Sequence, residues 1–306
     1  MQSLISDSVP MTAERQEAYL LRLRRQFPFV YVKTLTRTAF GRRVCALQLG
    51  AGSRKVLLTA GHHANECITS DALWQWLFTY CDAVLHGGRI GGADARELYH
   101  ESMVYLVPLV NPDGADLTAG SLLPDSPEYR AAARIAAQYP DIPFPYGWKS
   151  NLRGVDLNLN YPARWELARR IKKEQGVSGP APRDIVGFSP LDQPETAALA
   201  AFTCCIHPDV MLALHTQGRV IYPGPAETAP PGSDALAAAF SAASGYPVEP
   251  VPPESANAGF KDWFLQRFHR PAFTIEAGIG ENPLPQSQLP EICQALCGVF
   301  TAALSW

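Results

Sequence analysis

Four short apolar runs, residues 56–59, 103–109, 210–214 and 272–275, recur between segments of helical spacing, and this pattern constrains the fold most. A run that is apolar for most of its length suits a strand buried on both faces. Parallel strands need helical crossovers, so the chain is expected to form an α/β domain with a mixed, mostly parallel β-sheet flanked by helices. The intervening helices are expected near 69–84, 128–138, 194–205, 233–243 and 259–268, with others at 13–27 and 289–304. Residues 30–36 and 43–49 read as a hairpin turning at Ala39-Phe40-Gly41, and 219–222 as a short strand. Glycines at 87–88 and 91–92 mark an exposed loop, Asn111-Pro112-Asp113-Gly114 a turn, and the proline-dense stretches 140–145 and 180–182 long functional loops. The polar groups of interest fall just beyond strand ends, where open α/β sheets place their sites.

The chain has 306 residues, 47% of them hydrophobic, enough for one domain spanning 1–306 with a substantial core. Residues 1–12 are expected to be a loosely ordered leader to it. A net charge of -3 gives no reason to expect binding to nucleic acid or to an anionic membrane. The basic stretch Arg22-Leu23-Arg24-Arg25 reads as a solvated helix face. No segment reaches the ~20 apolar residues of a membrane span, and no secretory signal is visible. Seven cysteines without framework spacing suggest reduced thiols and a cytoplasmic location, with Cys204, Cys205, Cys293 and Cys297 as buried thiols.

After the run at 56–59 comes Gly61-His62-His63-Ala64-Asn65-Glu66. His-x-x-Glu on a tight loop offers an imidazole nitrogen and a carboxylate, a pairing that suits Zn²⁺ with an open position for water. Spacing to Glu66 favours His63 as ligand and leaves His62 a supporting role. His215 ends the run at 210–214 and is the candidate third ligand; the alternative is a hydrogen-bonded core histidine. Glu276 ends the run at 272–275. A carboxylate there is costly to bury unless paired or near a metal, which makes it a candidate general base. Arg153, in Asn151-Leu152-Arg153-Gly154-Val155-Asp156-Leu157-Asn158, is a candidate for stabilising an oxyanion, or else a partner of Asp156 that holds the loop.

GHHANE, VNPDG, RGVDLN, LALHTQG and FTIEAG, in this order, resemble the zinc carboxypeptidase superfamily, the carboxypeptidase A-like metallopeptidases, over roughly residues 15–304. The resemblance implies one zinc ion held by His63, Glu66 and His215, with Arg153 polarising the scissile carbonyl and Glu276 as the base. One departure bears on specificity. The family's carboxypeptidases read Asn-Arg where this chain reads Asn158-Leu159, and leucine cannot clamp a terminal carboxylate. Nor does any tyrosine occur between 255 and 268 to supply the family's mobile phenol; Phe260 and Gln266 occupy the plausible positions.

Both departures look like the γ-D-glutamyl-diamino acid endopeptidase branch, as do WKSNLRGVDLN, Pro162-Ala163-Arg164-Trp165-Glu166, Pro182-Arg183-Asp184, Gly259-Phe260-Lys261-Asp262-Trp263-Phe264 and Glu281-Asn282-Pro283-Leu284-Pro285. This resemblance implies hydrolysis of the γ-D-glutamyl to meso-diaminopimelate bond of peptidoglycan peptides, in muropeptide turnover. Candidate substrate-binding residues are Arg183 for the diamino acid's carboxylate, Asp184 or Asp262 for its ammonium, and Asn158; each charged one could instead form a loop-stabilising ion pair. Competing readings are an ordinary metallocarboxypeptidase, an aspartoacylase-type zinc amidohydrolase, and a muropeptide-binding sensor without turnover.

Overall fold

The computed structural model describes residues 9–224, 229–252 and 257–306. In chain order the elements are α1 (Ala13–Gln26), β1 (Tyr31–Arg37), β2 (Arg43–Gly50), β3 (Arg54–Thr59), α2 (Cys67–His86), β4 (Arg89–Ile90), β5 (Ala93–Asp94), α3 (Ala95–Glu101), β6 (Ser102–Val107), α4 (Pro112–Thr118), α5 (Pro127–Ala136), α6 (Trp165–Glu174), α7 (Pro194–Ile206), β7 (Val210–His215), β8 (Val220–Tyr222), α8 (Ser233–Ser244), α9 (Phe260–Phe268), β9 (Ala272–Glu276) and α10 (Leu289–Ser305).

Seven strands form one sheet in the order β1-β2-β6-β3-β7-β9-β8. The central four, β6, β3, β7 and β9, run parallel, while β1, β2 and β8 pair antiparallel at the two sides. The sheet is therefore mixed and mostly parallel at its centre, as the apolar runs lead one to expect. Side chains alternate across it. Val56, Leu58, Leu212 and Ile275 face a core with Leu20, Trp74, Leu98, Phe240 and Phe300 from α1, α2, α3, α8 and α10. Leu57, Met211 and Ala213 face the opposite core with Leu199, Phe260 and Phe264 from α7 and α9.

Helix boundaries follow local chemistry. Thr12 caps α1 by accepting the Arg15 N–H at 3.1 Å. Pro127 and Pro194 sit in the first turns of α5 and α7, where a missing N–H costs nothing.

Several expectations need correction. The glycine-rich stretch after α2 is no simple loop: β4 and β5 pair there, and Ile90 is buried. Two-residue strands are too short for any periodic signal. Asn111-Pro112-Asp113-Gly114 is the cap and first turn of α4, since Asn111 Oδ1 accepts the Gly114 N–H at 3.0 Å. Between the proline-dense stretches 140–145 and 180–182 lies a further helix, α6, anchored by Trp165, whose indole N–H donates to the Val186 carbonyl. Met11 is fully buried and its N–H donates to Asp71, so the loose leader does not extend to 12; residues 1–8 lie outside the described residues. Among the described residues none of the seven cysteines forms a disulfide. Cys205 is exposed on α7, and Cys204, Cys293 and Cys297 are half-buried, so the buried-thiol expectation fails for these four. Among the described residues no helix is long and apolar enough to cross a membrane.

Candidate active site

The C-terminal ends of β3, β7 and β9 deliver the site. Beyond β3 the chain turns at Gly61, whose φ is +65°. A Cβ there would meet Ser70 Oγ at 2.6 Å and Leu109 Cδ1 at 2.9 Å, so glycine alone fits. Asn111 fastens the loop by donating to the His62 and Ser150 carbonyls. This explains why the Asn-Pro-Asp-Gly motif matters to the site without entering it.

His63 Nδ1 lies 2.8 Å from Glu66 Oε1, and His215 Nδ1 lies 3.0 Å from Glu66 Oε2 and 3.2 Å from His63 Nδ1. The three ligand atoms lie within 4.8 Å of one another, and the cluster can hold a metal ion. The donor set fits zinc: bonds of about 2.0–2.1 Å in a tetrahedron put neighbouring ligand atoms roughly 3.3 Å apart. Two imidazole nitrogens that face each other at 3.2 Å need a proton or a metal ion between them. Without a metal, burial resists a charge on His63, yet the Glu66 and Asp156 carboxylates outweigh it and raise this imidazole to about 10. His215, by contrast, is held below its usual value chiefly by burial. A proton on His63 thus occupies the place of the ion, and metal binding must displace it.

The supporting groups are specific. Asp156 Oδ1 lies 3.2 Å from His63 Nε2 and accepts the Asn158 N–H at 3.0 Å. A carboxylate behind a ligating histidine fixes its tautomer and ring orientation. The Thr216 N–H donates to Glu66 Oε2 at 3.2 Å, and Asn282 Nδ2 donates to Glu66 Oε1 at 3.5 Å. His62 is fully buried, with Nε2 3.3 Å from the Tyr161 hydroxyl, and its ring stacks on His215.

Glu276 and His215 are register partners on adjacent strands. Glu276 lines a cavity of about 640 Å³ together with Lys149, Asn158, Arg183, Tyr222, Asp262, Glu281 and Asn282. Burial, then the Glu66 charge, raises its carboxyl to about 8 in the absence of metal. Lys149 Nζ lies 3.4 Å from Glu66 Oε1. Burial opposes its charge, but Glu66 and Asp156 outweigh that and hold the ammonium above its ordinary value.

The geometry departs from the sequence reading at Arg153. Its side chain is exposed and lies outside the cavity lining, while its N–H donates to Asn151 Oδ1. Nor does it pair with Asp156, which faces His63. The cation beside the cluster is Lys149, four residues earlier in the same segment. Asp184 also stands apart: it pairs with Lys172 at 2.6 Å, outside the cavity. Asn158 lines the cavity, but its Oδ1 caps α9 through the Phe260 N–H at 3.1 Å. Leu159 packs against Trp165 and Val186 and does not line the cavity. Phe260 is buried against His62 and Gln266 is exposed; the phenols in the cavity wall belong to Tyr146 and Tyr222. Lys149, Asp156, Asn282 and Tyr222 escaped the sequence reading. Only Asp156 had a usable signal, as an acid beside a candidate metal motif.

Known proteins resemble the chain in sequence and in fold. The family model for zinc carboxypeptidases matches residues 16–297. The chain is 38% identical over 283 residues to a gamma-D-glutamyl-L-diamino acid endopeptidase 1 of Lysinibacillus sphaericus, covering 92% of this chain and 69% of that protein. It is 35% identical to the uncharacterized protein YqgT of Bacillus subtilis, covering 91% of this chain and 73% of the other. The carboxypeptidase A structure from Helicoverpa armigera superimposes with a TM-score of 0.72 at 18% identity, over 100% of this chain and 76% of that one. Five ordered motifs, a shared fold and a convergent His-Glu-His cluster lead to one conclusion: the chain belongs to the zinc carboxypeptidase family.

Proposed function

We propose that this protein is a zinc metallopeptidase that hydrolyses the γ-D-glutamyl to meso-diaminopimelate amide bond of peptidoglycan peptides. The observation that carries the reading is the meeting of His63, Glu66 and His215 at the strand ends, with Glu276, the register partner of His215, in the wall of the cavity. The 38% identity to an endopeptidase named for γ-D-glutamyl-L-diamino acid substrates supports the choice of bond.

His63, Glu66 and His215 would hold a single zinc ion, which when bound supplies Lewis acidity and lowers the pKa of a coordinated water to about 7. Asp156, Thr216 and Asn282 hold the ligands in place through the bonds described above. Glu276 accepts a proton from the attacking water and returns it to the leaving amine. The Lys149 ammonium takes the role first expected of Arg153, facing negative charge that develops on the scissile carbonyl oxygen. The cavity's mixture of Lys149, Arg183, Lys261, Asp141, Asp262 and Glu281 suits a substrate that carries both signs of charge. Seven cysteines with no disulfide between them suit a reducing compartment, so we place the reaction on free muropeptides in the cytoplasm.

Mass spectrometry of defined muropeptides incubated with the zinc-loaded protein tests the reading. The expected products separate at the γ-glutamyl amide, also when the C-terminus is blocked. Release of C-terminal residues alone would replace the reading with an ordinary carboxypeptidase.

A further inference from the structure

Glu195, in the first turn of α7, is a buried acid that the mechanism above leaves unused. It is fully buried, and neither carboxylate oxygen completes a hydrogen bond of ordinary geometry among the described residues. The buried Ser150 Oγ is in the same state. A carboxylate without a full set of partners is among the costliest groups to bury, so the position of Glu195 calls for a physical reason.

Beside it stands the turn that carries Lys149 and Asp156, and Asn151 is the hub of that turn. The Asn151 N–H donates to the Val155 carbonyl at 2.9 Å, and its carbonyl accepts the Gly154 N–H at 3.0 Å. Its Oδ1 accepts the Arg153 and Val155 N–H groups, each at 3.1 Å. A side-chain amide has two N–H donors. Asn151 gives one to Gln193 Oε1 at 2.9 Å, and the Glu195 carboxyl stands beside the amide to receive the second. Gln193 and Glu195 flank Pro194, so the start of α7 grips the hub from one side. On the other side the Pro182 carbonyl accepts the Lys149 and Ser150 N–H groups. Between these two anchors Lys149 reaches Glu66 and Asp156 reaches His63.

We propose that Glu195 is a positioning residue: through Asn151 its carboxyl holds the turn that presents Lys149 to the scissile carbonyl and Asp156 to His63. This rests on the hydrolase reading above. The titratable and charged groups that act on Glu195 are Asp113 on α4, Arg153 on the turn itself and the Tyr161 phenol, which burial and then Glu195 raise. Burial raises the Glu195 carboxyl to about 7; Asp113 adds to this, while its own N–H, the Asn151 amide and Arg153 oppose it. The neutral carboxyl suits the dry site. Once ionised, it draws water and the Asn151 amide toward itself and loosens the turn. Turnover therefore falls on the alkaline side for a reason that lies outside the metal-binding cluster.

The test follows cleavage of L-Ala-γ-D-Glu-meso-diaminopimelate by the zinc-loaded full chain at about pH 6 and about pH 8.5, on either side of the Glu195 value. Glu195→Gln keeps the shape and an acceptor for Asn151 but cannot ionise. Its kcat is expected within about threefold of wild type at the lower pH and at least about threefold above it at the higher, with KM unmoved. Titrations that both proteins share cancel in this ratio. Glu195→Ala should lose roughly tenfold in kcat at both pH values, part of what one oxyanion donor is worth. In a Lys149→Met background the same change should cost less than about threefold, because the group it positions is gone. Chelator competition should show zinc held about 3- to 10-fold more weakly by Glu195→Ala and recovered in Glu195→Gln, since Asp156 steadies His63. A residue that served only the fold would shift the melting curve and leave these comparisons flat. Should Glu195→Ala fail to fold, the pH comparison with Glu195→Gln decides alone. Parallel pH profiles for wild type and Glu195→Gln, or an undiminished loss in the Lys149→Met background, overturn this assignment and leave the hydrolase reading standing. A wild type that cleaves no γ-D-glutamyl peptide overturns the hydrolase reading; zinc affinity then decides on Glu195, and equal affinity in wild type and folded Glu195→Ala overturns the assignment.

Discussion

The loop at 61–66 and the segment at 148–158 are equally conspicuous as motifs, yet they behave differently in three dimensions. In the first, the residues singled out by spacing, His63 and Glu66, are the ones that meet His215. In the second, the conspicuous arginine points to solvent, and the groups that reach the cluster are Lys149 and Asp156. The first is one tight turn between β3 and α2, so the backbone aims its side chains within a few residues. The second is a long irregular path whose side-chain directions depend on contacts with distant segments: Lys149 and Ser150 donate backbone N–H groups to Pro182, and Asp156 donates its N–H to Ile185. Local geometry can be read from spacing; borrowed geometry cannot.

The strongest test of the first loop removes the ligand that completes it. His215→Ala is expected to lose the bound zinc and, with it, about 10⁴-fold or more in kcat, because Lewis acidity and the activated nucleophile disappear together. Metal analysis and steady-state kinetics check this. Retention of one equivalent of zinc with full turnover would break the comparison at its root.

Glu276→Gln comes next, with a loss of roughly 10²–10⁴-fold in kcat, the usual worth of a general base. The same variant makes a prediction about pH in the metal-free protein. The Glu276 carboxyl is raised to about 8 in the folded chain, against about 4.3 when unfolded. The folded state then binds more protons than the unfolded one between these values, so stability is lost as pH rises through that window. Removing the charge removes the loss. Metal-free Glu276→Gln should melt a few degrees above metal-free wild type at pH 8.5 and level with it near pH 4, on the scale of about 2–4 °C per kcal/mol. Equal melting temperatures at pH 8.5 would mean that neither burial nor the Glu66 charge penalises the carboxylate.

A smaller effect separates the two cations of the second segment. Lys149→Met is expected to cost roughly 10²–10³-fold in kcat, as for loss of one oxyanion donor, while Arg153→Ala should stay within about threefold of the wild type. The opposite ranking would restore the arginine and reject the geometric argument. The smallest effect belongs to Asp156→Asn, where metal affinity should weaken by about 10–100-fold with the fold unchanged. Competition with a chelator measures it, and an unaltered affinity would remove Asp156 from the support of His63.

Much of the sheet was legible because burial on both faces leaves a simple mark. Residues 210–214 are a continuous apolar run and 272–275 are apolar but for Thr274, and both become central parallel strands. The hairpin of β1 and β2 was legible from its turn and the two β-rich runs on either side of it. What escaped has common causes. β4 and β5 are too short for periodicity, and α6 is short, strongly basic and set among prolines. Cys205 was expected to be buried on an apolar helix, but α7 turns it outward.

By itself the sequence determined the class of the fold, the family, and the residues that meet around one point, because strand ends and a tight glycine turn aim side chains through local backbone geometry alone. Only the tertiary structure decided which cation faces the cluster, which acid steadies His63, and that Asp262 is already engaged by Lys261. Those choices depend on packing between segments tens of residues apart, where a difference of a few residues in loop path turns a side chain from solvent into the cavity.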